Sequence, residues 1–331
     1  MSAYPPARPA TRLNPMHNQH TMTNARSIGP FEVSPIGLGC MNLSHGYGPP
    51  TAPEDAGRLL LDALDRGVTL FDTAALYGFG ANETLVGRVM KPHRSKYVLC
   101  SKGGMTGQPV GPGGALQRVI DGRAKAIRRD VEDSLKRLQT DVIDLYQIHW
   151  PNRNAAIFGG LYFDPARDQP QTSILEQLQA LDLLVKAGKV RHIGLSNESP
   201  WGLMEFLHVA ERHGLPRVVS VQNPYALVNR SLDNALDETL HRTGTALLAY
   251  SPLGVGTLTG KYDACGFDAS QPGLGRIARF ESVRKQRWAR PETLAAAREY
   301  NALARAHGLT PPQMALAFCY GSWRVASTII G

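Results

Sequence analysis

The chain has 331 residues, 43% of them apolar and 19% charged, enough to bury a large core in one α/β domain or two smaller ones. It contains no run of about 18 uninterrupted apolar residues, so no membrane-spanning helix is expected; Cys40, Cys100, Cys265 and Cys319 form no C-x-x-C pair and follow no secretory pattern, which predicts a reduced, cytoplasmic protein. The net charge of +8 resides in two segments, residues 1–31 with Arg8, Arg12, Arg26 and no acid, and residues 273–290 with six basic residues against Glu281; the rest is neutral, which argues against a nucleic-acid-binding surface.

Residues 1–25 are rich in Pro, Asn, His and Thr and lack an apolar period; the composition predicts a disordered tail before a domain spanning 26–331. Its Arg-containing, acid-free start weakly resembles a transit peptide, and Met16 or Met22 could equally be the true start. From Val33 onward, strand-like runs alternate with helical patterns: "VSPIGLGC", "TLFDTA", "YVLCSK", "DVIDLYQIHW", "RHIGLSN", "RVVSVQNPY", "TALLAYSPL" and "VASTIIG". Capping boxes are expected at Thr51-x-x-Glu54 and Ser173-x-x-Glu176, the second helix closing on Gly188. Ile127, Val131, Leu135 and Leu138 fall on one face of a helix over 123–138. Eight strands alternating with helices predict an α/β fold of the (β/α)8 TIM-barrel type. Long loops are expected at 103–122, 151–171 and 261–290.

In such a barrel the chemistry gathers at the C-terminal strand ends. Strand two ends on Asp72, strand three on "SKGG" with Lys102, and strand four on "YQIHW" with His149. A buried carboxylate needs a cation, and Lys102 is the nearest one in this topology. Tyr77, on the loop leaving strand two, completes a set of acid, phenol, amine and imidazole. An ammonium beside a phenol is expected to lower its pKa, making Tyr77 a general acid for a developing alkoxide, with His149 on the carbonyl oxygen. Taken singly, these residues have ordinary readings as turn, surface or core positions; at three consecutive strand ends they form a set. The set suits carbonyl reduction by an external hydride and offers neither a poised nucleophile nor three zinc ligands, so no metal is expected.

The second half of the barrel offers groups for a hydride donor. Ser196 and Asn197 end strand five and Gln222 ends strand six, where they can bond a carboxamide. Tyr250 ends strand seven with a flat face for a nicotinamide, and the turn from Ser251 to Gly256 offers backbone N–H groups to a pyrophosphate. It is not the G-x-G-x-x-G of a dinucleotide-binding βαβ unit.

From about Val33 to the last residue, "GLGCM", "LFDTAALYG", "CSKGG", "SLKRLQTDVIDLYQIHW", "AGKVRHIGLSN", "VQNPY" and "YSPLGVGTLTGKY" occur in the order of the aldo/keto reductase superfamily, which the chain resembles; the insertion "PNRNAAIFGGLYFDPARD" after His149 and the stretch "SNESPWGLMEFLHVAERHGLPRVVSVQNPYALVNRS" resemble most its bacterial Tas-like branch. The resemblance implies an NADPH-dependent oxidoreductase of small carbonyl compounds, with Tyr77 as acid and Asp72, Lys102 and His149 completing the tetrad. It implies Ser196, Asn197, Gln222 and Tyr250 around the nicotinamide, and Ser251, Leu253, Gly254 and Lys261 at the phosphates, with Arg279 a further candidate. In the family the chain continues past strand eight into a helix and a segment that clamps the 2′-phosphate. Here the sequence stops at Gly331, so the expectation is a barrel without that helix and loop, a bare outer side on strand eight and weakened discrimination of NADP from NAD. A cofactor-binding regulatory protein, resembling potassium-channel β subunits, is the alternative; the intact tetrad favours an enzyme. An oligomer is compatible with either.

Overall fold

The computed structural model describes residues 26–44, 49–110, 115–157, 160, 162–169, 171–268, 270, 275–285 and 287–331; the tail expected over residues 1–25 lies outside them. Among the described residues, eight parallel strands close into a barrel. They are β1 (Ile36–Gly39), β2 (Leu70–Asp72), β3 (Val98–Gly103), β4 (Ile143–Ile148), β5 (Val190–Ser196), β6 (Val218–Pro224), β7 (Ala246–Tyr250) and β8 (Val325–Ile330). Neighbours follow chain order, and β8 closes the ring on β1 through Thr328 opposite Ile36. Helices α1 (Pro53–Asp65), α2 (Ala81–Met90), α3 (Ala124–Leu138), α4 (Ile174–Lys186), α5 (Pro200–His213) and α6 (Leu236–Thr243) each lead from one strand to the next. Two more, α7 (Pro291–Ala306) and α8 (Pro311–Tyr320), lie between β7 and β8. The (β/α)8 barrel read from the alternation is the fold.

The helices are held as amphipathic covers. Ile127, Val131, Leu135 and Leu138 form the buried stripe of α3, and Ser173 caps α4 by accepting the Glu176 N–H. Glu176 does not return the bond to Ser173, as a capping box requires; its carboxylate accepts the Ala124 N–H at the start of α3 instead, at 2.9 Å. The box expected at Thr51 is absent too. Ala52 is the N-cap and Pro53 opens α1, while the Thr51 N–H is engaged by the Leu43 carbonyl.

Two hairpins, neither expected, frame the barrel. Arg26–Ile28 and Phe31–Val33 pair antiparallel, and Ile28 and Val33 pack with Leu70, Cys100, Leu145, Leu248 and Ala326, closing the N-terminal end. Met105–Val110 and Ala115–Ile120 form the second, directly after β3, in the span expected to be a loop. The outer side of β8 is not bare. The strand is buried from Val325 to Ile329 because α8, which precedes it in sequence, packs along it.

Candidate active site

Side chains alternate along a strand. The residues that follow the N-terminal plug by two positions therefore also face inward: Asp72 above Leu70, Lys102 above Cys100, Gln147 and then His149 above Leu145, and Tyr250 above Leu248. The four residues expected to form the tetrad meet there. Lys102 is wholly buried, and its Nζ reaches Asp72 Oδ2 at 2.5 Å, the Thr73 carbonyl at 3.0 Å and the Tyr77 hydroxyl at 3.2 Å. An ammonium has three N–H donors, and all three are used. The Tyr77 ring also meets the His149 ring edge-on, 5.8 Å between centroids.

The electrostatics differ from the sequence expectation at one residue. Burial by itself would lower the Lys102 ammonium, but Asp72 and Tyr77 outweigh it and raise it above the ordinary lysine value. Burial also raises the Tyr77 phenol, assisted by Asp72; Lys102 pulls it down but does not win. Tyr77 is thus held protonated, where the sequence suggested a lowered pKa. His149 is pushed well below 6.5 by burial, then by the charges of Lys102 and Arg118. Its ring is therefore neutral, and its Nδ1 has no hydrogen-bond partner among the described residues.

The other expected residues line the second half of the mouth. Ser196 Oγ donates to the Gln222 carbonyl at 3.1 Å. Asn197, at φ +55°, donates through Nδ2 to the His149 carbonyl at 3.1 Å and accepts the Tyr250 hydroxyl at 2.6 Å. Tyr250 is half-buried at the end of β7. Gln222 is not poised with its NH2 outward; that group donates to Asp72 Oδ1 at 2.8 Å. Gln147, which the sequence reading passed over, donates to the same oxygen at 3.3 Å.

Beyond Tyr250 the chain turns through Ser251, Leu253 and Gly254. Ser251, Gly254, Val255 and Gly256 all have positive φ, between 55° and 94°, a conformation that turns successive N–H groups to one side. Lys261 folds against this turn. A Cβ on Gly256 would lie 3.0 Å from its Nζ, and one on Gly275 2.7 Å, so glycine at both positions leaves the cradle that the amine occupies. Burial, then the Arg276 charge, lowers Lys261. Two cations brought together beside a turn of backbone donors fit a phosphate-bearing cofactor. In the basic segment, Arg276 rather than Arg279 acts on Lys261; Arg279 is exposed, with its guanidinium over the Phe280 ring at 5.3 Å.

Comparison with known proteins gives this geometry a family. Residues 35–331 match the model of the aldo/keto reductase family. The chain is 41% identical over 310 residues to protein tas of Escherichia coli (strain K12), covering 91% of this chain and 86% of that one. It is 30% identical over 289 residues to probable aldo-keto reductase 1 of Glycine max, covering 87% and 74%. Among solved structures, the glycerol dehydrogenase AKR11B4 from Gluconobacter oxydans superposes with a TM-score of 0.71 at 28% identity, covering 92% of this chain and 85% of that one. The holo form of aldo-keto reductase AKR11C1 from Bacillus halodurans shares the fold at a TM-score of 0.66 and 24% identity, covering 93% and 85%. With the barrel, the four residues at its mouth and these relatives together, the chain belongs to the aldo/keto reductase family, on the Tas-like branch, and is an oxidoreductase acting on carbonyl groups.

Proposed function

We propose that the protein is an NADPH-dependent reductase of aldehydes and ketones in which Tyr77 is the general acid. The observation that carries this reading is the buried Lys102 ammonium shared between Asp72 at 2.5 Å and the Tyr77 hydroxyl at 3.2 Å. NADPH, when bound, supplies the hydride. As the carbonyl oxygen gains charge it takes the phenolic proton of Tyr77, and the phenolate left behind is stabilised by Lys102. Asp72 holds Lys102 charged and in place. His149, neutral, hydrogen-bonds the same carbonyl oxygen and orients the substrate.

Ser196, Asn197 and Gln222 are assigned to the carboxamide, and Tyr250 to one face of the nicotinamide. Ser251, Leu253, Gly254 and Lys261 are assigned to the phosphates, with Arg276 joining Lys261 and Arg279 retained as a peripheral contact. The substrate is a small carbonyl compound, and the four free cysteines suit a reducing cytoplasm. Loss of NADPH absorbance at 340 nm with a panel of activated aromatic aldehydes and dicarbonyls tests the reading. Turnover is expected. NADPH binding without turnover on any of them would instead favour a cofactor-binding regulatory protein.

A further inference from the structure

We infer that Gln147 is a positioning residue that couples the grip on the nicotinamide to the proton-donating group, an inference that rests on the reductase reading above. Gln147 is wholly buried on β4, two residues before His149. Its Nε2 donates to Asp72 Oδ1 at 3.3 Å, and its Oε1 accepts from Gln222 Nε2 at 3.4 Å. Gln222 Nε2 also donates to Asp72 Oδ1, at 2.8 Å. Asp72 therefore divides its carboxylate, one oxygen on Lys102 and the other on two amides that arrive from β4 and β6. The three strands are tied across the barrel at the level just beneath the mouth.

This arrangement fixes which way the amides face. A carboxylate only accepts, so it selects the NH2 end of each glutamine. With the NH2 of Gln222 spent on Asp72 and Gln147, its carbonyl oxygen is the group left for a ligand. That oxygen matches the NH2 of a carboxamide. Gln147 thereby takes the second N–H of the Gln222 amide and reinforces the facing that Asp72 selects, while adding a donor to the carboxylate that orients Lys102. Gly194 on β5 leaves the room it needs: a Cβ there would lie 3.1 Å from Gln147 Cγ and 2.6 Å from Ser220 Oγ. Methionine at 147 would keep the volume and delete both amide contacts, leaving one Gln222 N–H unpartnered, its side chain held by Asp72 alone, and Asp72 short of a donor in a dry setting.

The test measures NADPH affinity by fluorescence titration, kcat, carbonyl KM and melting temperature for wild type, Gln147→Met, Gln222→Met and the double variant. Gln147→Met should weaken NADPH binding roughly fivefold or more and lower kcat about tenfold, with carbonyl KM changed by less than about twofold. In the Gln222→Met background, adding Gln147→Met should change NADPH affinity by less than about twofold, because the residue it acts through is already gone. A merely structural glutamine would lower the melting temperature and leave NADPH affinity and kcat at wild-type values, which overturns the inference. So would full additivity in the double variant. Should Gln147→Met not fold, Gln147→Glu serves in its place: it keeps the shape, sets a carboxyl against Asp72, and should weaken NADPH binding likewise; unchanged affinity there overturns the inference. Wild type that neither binds nor oxidises NADPH overturns the reductase reading itself. Wild type that does both beside an indifferent Gln147→Met overturns the coupling alone.

Discussion

Lys102 carries a charge that the inside of a barrel would not tolerate alone, since an isolated buried ammonium costs several kcal/mol or more. Asp72, Thr73 and Tyr77 take all three of its donors, and this saturation sets the geometry of the site. The groups that move Tyr77 are burial, Lys102, Asp72 and Cys40, and only Lys102 lowers it. Lys102→Met should therefore raise the phenol further. The acid form is lost as pH rises through that value, so the alkaline limb of kcat should move to higher pH while its plateau falls; a limb that stays or moves down contradicts the assignment. Tyr250→Ala should weaken NADPH binding by about 1 kcal/mol from the lost aromatic face, with more lost where Asn197 is released from its 2.6 Å bond. Unchanged affinity in titration calorimetry would place the nicotinamide elsewhere. The meeting of Asp72, Tyr77, Lys102 and His149 was legible because strand ends and side-chain parity follow from pattern. Gln147 was not, because a neutral amide inside "DLYQIHW" demands no partner. The direction at Tyr77 was misread for a related reason: sequence reveals the neighbouring cation but not the depth of burial.

Elements are joined by contacts that local sequence rules do not contain. Glu176 has the position of a capping-box residue in α4, yet it serves α3 by accepting the Ala124 N–H; α3 has no side-chain cap of its own. Glu176→Ala should lower stability by about 1 kcal/mol in denaturant unfolding, the usual scale for a lost helix cap, although Ser173 continues to cap α4. A stability equal to wild type would mean that water replaces the carboxylate at no cost. The same limit explains the hairpins. Gly107 and Pro109 make Met105–Val110 resemble a loop, and Arg26–Ile28 is too short to show a period. The first forms because Ile28 and Val33 have the end of the closed barrel to pack on; the second is held by the pairing of its own two strands. Strand eight was misjudged in the opposite direction, since α8 approaches it from before it in the chain.

At the scale of the molecule, the barrel divides into an apolar lower half, sealed by Ile28 and Val33, and a polar upper half that carries the chemistry. The division has a consequence for stability. His149 is held well below 6.5 by burial and by the nearby cations Lys102 and Arg118, and His192 is lowered by burial and Arg191, against Asp144. Above about pH 6.5 both are neutral whether folded or unfolded; below it the unfolded chain takes up protons that the folded chain does not, so stability falls with pH. The melting temperature should drop between about pH 7 and about pH 5.5, and His149→Asn should reduce that drop; an equal drop in the variant would assign the acid sensitivity elsewhere. The central claim is that the upper half reduces carbonyls with Tyr77 as its acid, and the most direct measurement pairs kcat with NADPH affinity for Tyr77→Phe. Removing one phenolic oxygen keeps the packing and deletes the donor, so kcat should fall roughly 10²-fold or more while NADPH binding stays near wild type. A variant that keeps about a tenth or more of the activity would contradict the account, because the proton would then come from another group.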